Sequence, residues 1–399
     1  MLAAAAPEAG EIMIPTPGLL LEENQSASNR TPRQINRSLI FNQIRSRQPI
    51  SRAELARTSG LQRSTVSLIV EKLLGERWIV EGSLGEIPRG RKPTFLLLNP
   101  QRGVLALDVH PAQTMLAVAD LCGNISDERQ IVLPADPNKV IGAILSAVKR
   151  LIAAHQDRIF EGIGINFPGR FSHQLDKTIF APNVEWPIAQ IRSRVEQATG
   201  LPVVVENVAN ACALSEVWFG NSEATRDLVV VNVSEGIGAG IFANGRLLRG
   251  DGDAAGEFGH VQLDPNGVVC GCGSRGCWET IASNRAAMRY YNDGAKEPIH
   301  SFEALLQLAE ANDQSALKAI TKMCTGLGRG MHMLVSALAP CEIVVVGELT
   351  RLWPLVFPII DAELRRFPLI RLPRIRIASG PDKARLRSAV PLIMNDKSI

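Results

Sequence analysis

The 399-residue sequence lacks any uninterrupted apolar run of the roughly 18 residues that a membrane-spanning helix needs. It also lacks a disulfide framework of the secreted type, because its seven cysteines are odd in number and mostly scattered. We therefore expect a cytoplasmic protein without a membrane segment. Hydrophobic residues make up 46% and charged residues 21% of the chain, values typical of a folded globular protein.

Lysine and arginine are absent from residues 1–29, which carry four acidic residues. A signal peptide begins with a basic segment, so this stretch does not resemble one, and we predict a disordered tail at residues 1–30. Residues 30–98, by contrast, carry 13 basic and five acidic residues, while the remainder is nearly neutral. A short basic block beside a large neutral remainder indicates a small module that binds a polyanion.

The basic block has the pattern of three helices. Apolar residues recur at helical spacing in residues 32–48. Ser51 and Glu54 form the S-x-x-E pattern of a capping box, and Gly60 ends the second helix. A third helix follows, and its outward-facing start is polar: Gln62, Arg63, Ser64, Thr65 and Ser67. A helix, a glycine turn and a helix with a polar first turn form the helix-turn-helix layout.

Two predicted strands follow, around a loop that contains Arg89, Arg91 and Lys92. Such a loop is typical of a wing, whose cations lie along a DNA backbone or in a minor groove. Donors at the start of the third helix can reach base edges and phosphates. We predict a winged helix-turn-helix domain at residues 31–98 that binds operator DNA. The alternative is a helical bundle with a solvated basic face.

From residue 101 the pattern is that of a mixed α/β protein, with a three-strand meander, a helix and several buried strands. Three cysteines stand out there, Cys270, Cys272 and Cys277, and they form either a redox device or a metal site. The surrounding residues 256–283, GEFGHVQLDPNGVVCGCGSRGCWETIAS, resemble the signature of the ROK family (repressors, ORFs and sugar kinases). That signature is G-E-x-G-H followed by C-x-C-G-x-x-G-C-x-E.

The resemblance runs from about residue 32 to the C-terminus, because the repressor branch of the family, with its xylose and N-acetylglucosamine repressors, also begins with a winged helix. It implies an α/β fold in which a winged helix-turn-helix precedes a two-lobed actin-like (RNase H-like) core. Lobe I is expected at residues 99–206, completed by a C-terminal helix at 384–399. Lobe II, with the zinc loop and the sugar site, is expected at residues 207–383.

The cysteine spacing C-x-C-x4-C differs from the C-x-x-C of thioredoxin-like redox sites. With His260, the three cysteines make a Cys3His set that suits a closed tetrahedral Zn²⁺ site. Because protein ligands fill all four positions, we predict one structural zinc ion per chain and no metal-activated water.

The resemblance also implies a sugar site. In the family, the residues that match Glu257, His260 and Glu279 bind sugar hydroxyls, and those that match Asn183 and Asn207 do likewise. Carboxylates accept paired hydrogen bonds from vicinal diols, which suits them to this task. The alternative is that the two glutamates are surface acids flanking a zinc loop.

Three parts that the family's kinases need are altered here. The D-x-G-x-T phosphate turn corresponds to residues 108–114, which lack glycine and contain Pro111. Val208 replaces the catalytic aspartate of E-N-D-x-N and cannot accept a proton from a sugar hydroxyl. The late nucleotide turn keeps one glycine in residues 344–350, and Glu235 adds negative charge to the second phosphate turn. We therefore predict no enzymatic activity and assign no catalytic residue.

Together these features predict a sugar-responsive transcriptional repressor that acts as a homodimer or homotetramer. The alternatives are an ATP-dependent ROK sugar kinase with an accessory DNA-binding domain and a degenerate core without a ligand. Family kinases place the lost carboxylate beside the phosphoryl-accepting hydroxyl, commonly on C6 of a hexose. The methyl groups of Val208 leave such a hydroxyl without that partner, which favours a pentose, a deoxy sugar or an otherwise altered effector.

Overall fold

The computed structural model describes residues 32–84, 94–110, 114–134, 136–181, 186–220, 227–366 and 371–395. The predicted tail, the basic wing loop with Arg89, Arg91 and Lys92, and the predicted sugar-binding Asn183 lie outside these ranges.

The N-terminal unit has the arrangement of a winged helix-turn-helix. Its elements are α1 (Pro32–Arg47), β1 (Ile50–Ser51), α2 (Arg52–Ser59), α3 (Arg63–Gly75), β2 (Ile79–Leu84) and β3 (Thr94–Leu98). The strands form an antiparallel sheet in the order β1-β3-β2. The predicted capping box is confirmed, since the Ser51 hydroxyl accepts from the Glu54 amide (3.3 Å) and the Glu54 carboxylate from the Ser51 amide (2.9 Å). Gly60 ends α2 in the left-handed conformation that glycine favours, at φ 69°.

The first sheet of the core follows directly. Its elements and the helices around it are β4 (Arg102–Asp108), β5 (Thr114–Asp120), β6 (Ile125–Ile131), α4 (Pro137–Ala154), β7 (Ile159–Phe167), β8 (Arg170–Ser172), β9 (Lys177–Phe180), α5 (Ile188–Thr199) and β10 (Val203–Asn207). The order is β10-β7-β4-β5-β6, and β4, β5 and β6 form the predicted antiparallel meander. Strands β7 and β10 run parallel to β4.

The remaining elements build a second sheet and its covering helices. They are α6 (Val208–Phe219), β11 (Leu228–Val233), β12 (Ile237–Ala243), β13 (Arg246–Leu247), α7 (Trp278–Ala282), α8 (Asn284–Asn292), α9 (Phe302–Glu310), α10 (Gln314–Leu338), β14 (Glu342–Val346), α11 (Trp353–Leu364), β15 (Arg374–Ile377), α12 (Ala384–Arg387) and α13 (Ala389–Asn395). The strand order is β13-β12-β11-β14-β15. Two mixed five-stranded sheets with their helices confirm the predicted two-lobed α/β architecture; the residue boundaries between domains stay a prediction.

Strand β4 shows how the first lobe is covered on both faces. Successive side chains of a strand point to opposite faces. Leu105 and Leu107 join the core that contains α4 and α5, whereas Val104 and Ala106 join the core that contains α13. The last helix of the described chain therefore packs against the first sheet, although it follows the second sheet in sequence.

Helix α6 connects the two sheets and lies close to β12. A Cβ atom on Gly240 would stand 2.1 Å from the Ala209 carbonyl oxygen, so this approach requires glycine. Asn207 caps the helix, because its side-chain oxygen accepts from the amides of Ala209 (2.8 Å) and Asn210 (3.4 Å). The other end of α6 carries Trp218, which contacts the N-terminal unit.

Two arginines hold the N-terminal unit against the core. The guanidinium of Arg45 in α1 lies 4.2 Å from the centre of the Trp218 ring and donates to the Trp218 carbonyl (2.6 Å). The guanidinium of Arg102 in β4 lies 3.9 Å from the centre of the Trp78 ring, donates to the Arg77 carbonyl (2.8 Å) and pairs with Glu161. Cation–π contacts and hydrogen bonds to backbone carbonyls thus connect the unit to the core.

Among the described helices, none is both long and apolar enough to cross a lipid bilayer.

Candidate functional site

A polar pocket opens where the carboxyl ends of β7 and β10 meet the second lobe. Its lining includes four of the five predicted sugar-binding residues and several further polar groups: Asn207, Glu257, His260 and Glu279, with Arg170, Glu206, Glu235 and Asp253. Ligand sites in α/β sheets form at the carboxyl ends of parallel strands. The fold therefore brings together residues as far apart in the sequence as Arg170 and Glu279.

His260 faces two sites with its two ring nitrogens. Its Nδ1 atom lies 3.5 Å from the Cys270 sulfur and 3.6 Å from a Glu279 carboxylate oxygen. Its Nε2 atom lies 3.7 Å from a Glu257 carboxylate oxygen, on the pocket side. Burial raises the pKa of Glu257, although the charges of His260 and Arg170 oppose the shift. One histidine can thus serve the cysteine cluster and the pocket at the same time.

The three cysteines and His260 form a compact cluster, in which one ligand atom from each residue lies within 4.8 Å of all the others. The Cys272 and Cys277 sulfurs are 3.7 Å apart. Tetrahedral Zn²⁺ with Zn–S bonds of about 2.3 Å requires sulfur–sulfur distances of about 3.8 Å. The residues present therefore fit the predicted zinc ion in number, type and spacing.

The loop that carries the cysteines depends on a glycine. Gly276 adopts φ 58°, and a Cβ atom there would lie 1.6 Å from the Asp264 carbonyl oxygen. Burial raises the pKa of Cys272, but hydrogen bonds from Ser274 and the neighbouring thiols outweigh it and lower that pKa to about 7. A thiol with this pKa readily becomes the thiolate that metals bind. Cys270, in contrast, donates a hydrogen bond to the Glu279 carboxylate (2.9 Å).

Val208 lies at the start of α6, is 4% exposed and lines the pocket. The neighbouring carboxylate of Glu206 is engaged elsewhere. It lies 2.6 Å from the Arg249 guanidinium and accepts from the Asn207 amide (2.9 Å) and the Asn210 side chain (3.2 Å). The wall around Val208 therefore presents methyl groups and an acid that is already paired.

The described residues of the two segments that match the family's phosphate turns meet between the lobes, while Pro111 of the first segment lies outside the described residues. The Nε2 atom of His110 lies 2.7 Å from the Glu235 carboxylate. Burial raises the pKa of Glu235, but the hydrogen bond and charge of His110 outweigh this effect and leave that pKa below its usual value. Nearby, Asp108 pairs with Arg385 at 2.9 Å. Side-chain contacts therefore join the described residues of the first segment to Glu235 and to Arg385.

Sequence reasoning missed some residues of the pocket. Arg170 lines it, and the guanidinium makes no hydrogen bond or ion pair with the described residues. Its place just beyond the end of β7 is the signal that identifies it, since residues after parallel strands gather at one edge. His173, which was also missed, lies next to the pocket rather than in its lining; its Nδ1 atom is 3.2 Å from Asp253 of the other lobe, and Asp253 lines the pocket.

The predicted DNA-binding residues of α3 lie at its start. Gln62 is the N-cap residue. Gln62, Arg63, Ser64 and Ser67 are exposed, and Thr65 is half-buried. The sequence reasoning passed over Leu68, which is apolar and exposed on the same helix. The start of α3 is therefore exposed to solvent.

Known proteins resemble both parts of the chain. It is 31% identical over 336 residues to the xylose repressor of Bacillus spizizenii, and this match covers 83% of this chain and 87% of that protein. It is 32% identical to the glucokinase of Streptomyces coelicolor, over 66% of this chain and 87% of the glucokinase. The crystal structure of a ROK family transcriptional regulator, a homologue of E. coli Mlc, superposes with a TM-score of 0.72 at 27% identity, covering 91% of this chain and 98% of that one. The ROK family model matches residues 104–390, and the chain belongs to the ROK family.

Proposed function

We propose that the protein is a DNA-binding transcriptional repressor whose ROK core binds a sugar effector. One observation carries the proposal: helix α6 starts beside Asn207, its cap residue in the pocket, and its last turn carries Trp218, which contacts Arg45 of the helix-turn-helix unit. A pocket for a small ligand and a DNA-binding unit are thus joined by one rigid element. The likeness to a xylose repressor over both parts of the chain supports this assignment.

In this proposal, α3 enters the major groove of an operator, with Gln62, Arg63, Ser64, Thr65 and Ser67 as the contacting residues. The wing, with Arg89, Arg91 and Lys92, adds contacts to the backbone or the minor groove. The chain acts as a homodimer or homotetramer, so that two units read the halves of a pseudo-palindromic operator. The basic charge of residues 30–98 supports this part of the proposal.

The effector is a sugar held by Asn183, Asn207, Glu257, His260 and Glu279. The two carboxylates accept from neighbouring hydroxyls, and the Nε2 side of His260 supplies a further polar contact. Asn207 has less hydrogen-bonding capacity left for a sugar than the two glutamates. Its side-chain oxygen caps α6, and its side-chain nitrogen already donates to the Gly169 carbonyl (3.1 Å). The methyl surface of Val208 favours a pentose, a deoxy sugar or an otherwise altered sugar.

The cluster of His260, Cys270, Cys272 and Cys277 holds one structural Zn²⁺. When bound, the ion cross-links the loop and keeps His260 in one orientation. Cys270 then serves as a thiolate and no longer donates to Glu279. The Glu279 carboxylate is thereby released from the cluster and becomes available to a hydroxyl in the pocket, which links metal binding to effector binding.

One observation supports the kinase alternative, namely the likeness of the core to a glucokinase. Three observations favour a regulator without catalysis. Val208 offers no proton acceptor, and the neighbouring Glu206 is paired with Arg249. The contact of His110 with Glu235 joins the segments that would hold phosphates. An enzyme of this type needs a base and free phosphate-binding turns.

The experiment that tests the proposal combines selection and titration. The full chain is used to select binding sites from a random duplex library, and calorimetry with pentoses, hexoses, amino sugars and their phosphates then identifies a ligand. We expect a specific operator, and a sugar that changes the affinity for that operator. A protein that selects no sequence, or an operator affinity that no sugar of the panel changes, would count against the proposal.

A further inference from the structure

Leu68 is a large apolar side chain on the outer surface of α3, and it is 73% exposed. The buried stripe of this helix consists of Val66, Ile69, Val70 and Leu73. An α-helix turns about 100° per residue, so Leu68 points roughly opposite the middle of that stripe. It therefore projects farther from the core of the N-terminal unit than almost any other residue of the helix.

The neighbours of Leu68 on this outer line are polar. Ser64 precedes it by one helical turn and lies on the same line, while Arg63 and Ser67 are exposed beside it. A helix that enters the major groove presents its outermost line to the base edges. Leu68 is thus placed where a side chain reads bases rather than phosphates.

The charge of the surrounding surface favours DNA as the molecule that covers Leu68. Residues 30–98 carry 13 basic and five acidic residues. The acidic residue next along the outer line, Glu71, is paired with Arg52 at 2.9 Å, which offsets its repulsion of phosphate. In the described part of the N-terminal unit, no second large apolar side chain is exposed. A single leucine is too small for an apolar protein interface.

The major-groove edge of duplex DNA offers one apolar group, the C5-methyl group of thymine. We propose that Leu68 contacts a thymine methyl group in each operator half-site and thereby makes thymine the preferred base there. The inference rests on the proposed DNA-binding function and adds a specificity-determining residue that carries no hydrogen-bonding group.

The test removes the methyl group from the DNA and the side chain from the protein. Sites selected by the full chain are resynthesised with single thymines replaced by deoxyuridine, which lacks only the methyl group. At one position per half-site, we expect this replacement to weaken binding by the unaltered protein about four-fold, the value for one buried methyl-sized group. In Leu68→Ala, the same replacement changes affinity by less than about 1.5-fold, because the contact is already lost.

A matched control is Leu175→Ala, since Leu175 is also exposed (62%) but lies in the turn between β8 and β9 of the core. This variant keeps the full deoxyuridine penalty. Thermal unfolding of Leu68→Ala matches that of the unaltered protein, because the side chain is not part of the core.

Three results would overturn the inference. The first is an equal deoxyuridine penalty, or none, in both the unaltered protein and Leu68→Ala. The second is that Leu68→Ala loses affinity for selected and for random duplexes by the same factor, which indicates a general rather than a base-specific role. The third is a change of oligomeric state in Leu68→Ala, which assigns the side chain to a protein contact. Failure to select any sequence instead overturns the DNA-binding function itself.

Discussion

Arg45 of α1 lies with its guanidinium 4.2 Å above the ring of Trp218 and donates to the carbonyl of the same residue at 2.6 Å. The Trp218 indole in turn donates to Asn395 at the end of α13 (3.2 Å). Both residues are half-buried, and burial lowers the pKa of Arg45 to about 10. The two halves of the proposed function therefore meet at a half-buried cation–π pair.

Replacing Arg45 is expected to uncouple the two halves. Arg45→Met removes the cation–π contact and the hydrogen bond, each of which contributes about 1 kcal/mol or more. A conformational change in the core then changes the orientation of the helix-turn-helix unit less. We expect unchanged sugar affinity by calorimetry and an effect of sugar on operator affinity reduced at least about five-fold, measured by fluorescence anisotropy. Arg47→Met, at an exposed site of the same helix, should keep the full sugar effect. A normal response in Arg45→Met would show that coupling takes another route.

Loss of one zinc ligand is expected to weaken both the fold and the sugar site. Metal analysis should find one Zn²⁺ per chain, and Cys272→Ser or chelation should remove it. A loss of about 3 kcal/mol lowers the melting temperature by roughly 4 °C in a protein of this size. Cys341→Ser is the control, because Cys341 is exposed and lies outside the cluster. Sugar affinity that survives removal of the metal would disprove the link between Cys270 and Glu279.

The carboxylate of Glu257 is expected to contribute directly to sugar affinity. Glu257→Gln removes a charged acceptor, and such hydrogen bonds contribute about 1.5–3 kcal/mol, so affinity should fall about 10- to 100-fold. Glu297→Gln, at an exposed site, should leave the affinity unchanged. Because burial raises the pKa of Glu257, sugar affinity should decrease as the pH falls through that raised pKa. A pH-independent affinity would mean that this carboxylate does not bind the sugar.

No sugar-dependent turnover of ATP is expected. Incubation with labelled ATP and a sugar panel should yield no phosphosugar above background. Val208→Asp restores an acid at the start of α6, yet it should also remain inactive, because the contact of His110 with Glu235 and the ion pair of Asp108 with Arg385 persist. Turnover by the unaltered protein would favour the kinase alternative. Turnover by Val208→Asp alone would show that the phosphate-binding turns still function.

Features that depend on neighbours in the sequence could be predicted well. The capping box of Ser51 and Glu54 closes within four residues, and the left-handed Gly60 follows from the same short segment. The ligands of the metal cluster lie between His260 and Cys277, so one loop brings them together. The meander of β4, β5 and β6 likewise follows from alternating apolar residues and short turns.

By itself, the sequence determined the order of the elements, the family and the members of the Cys/His cluster, because local hydrogen bonding, apolar periodicity and ligand type suffice for these. Only the tertiary structure decided which distant groups meet. Arg45 reaches Trp218 across 173 positions, and the contact of His110 with Glu235 joins different lobes. Such pairs depend on how sheets and helices pack, and no local pattern encodes them. The exposure of Leu68 was decided in the same way, by which face of α3 the core covers.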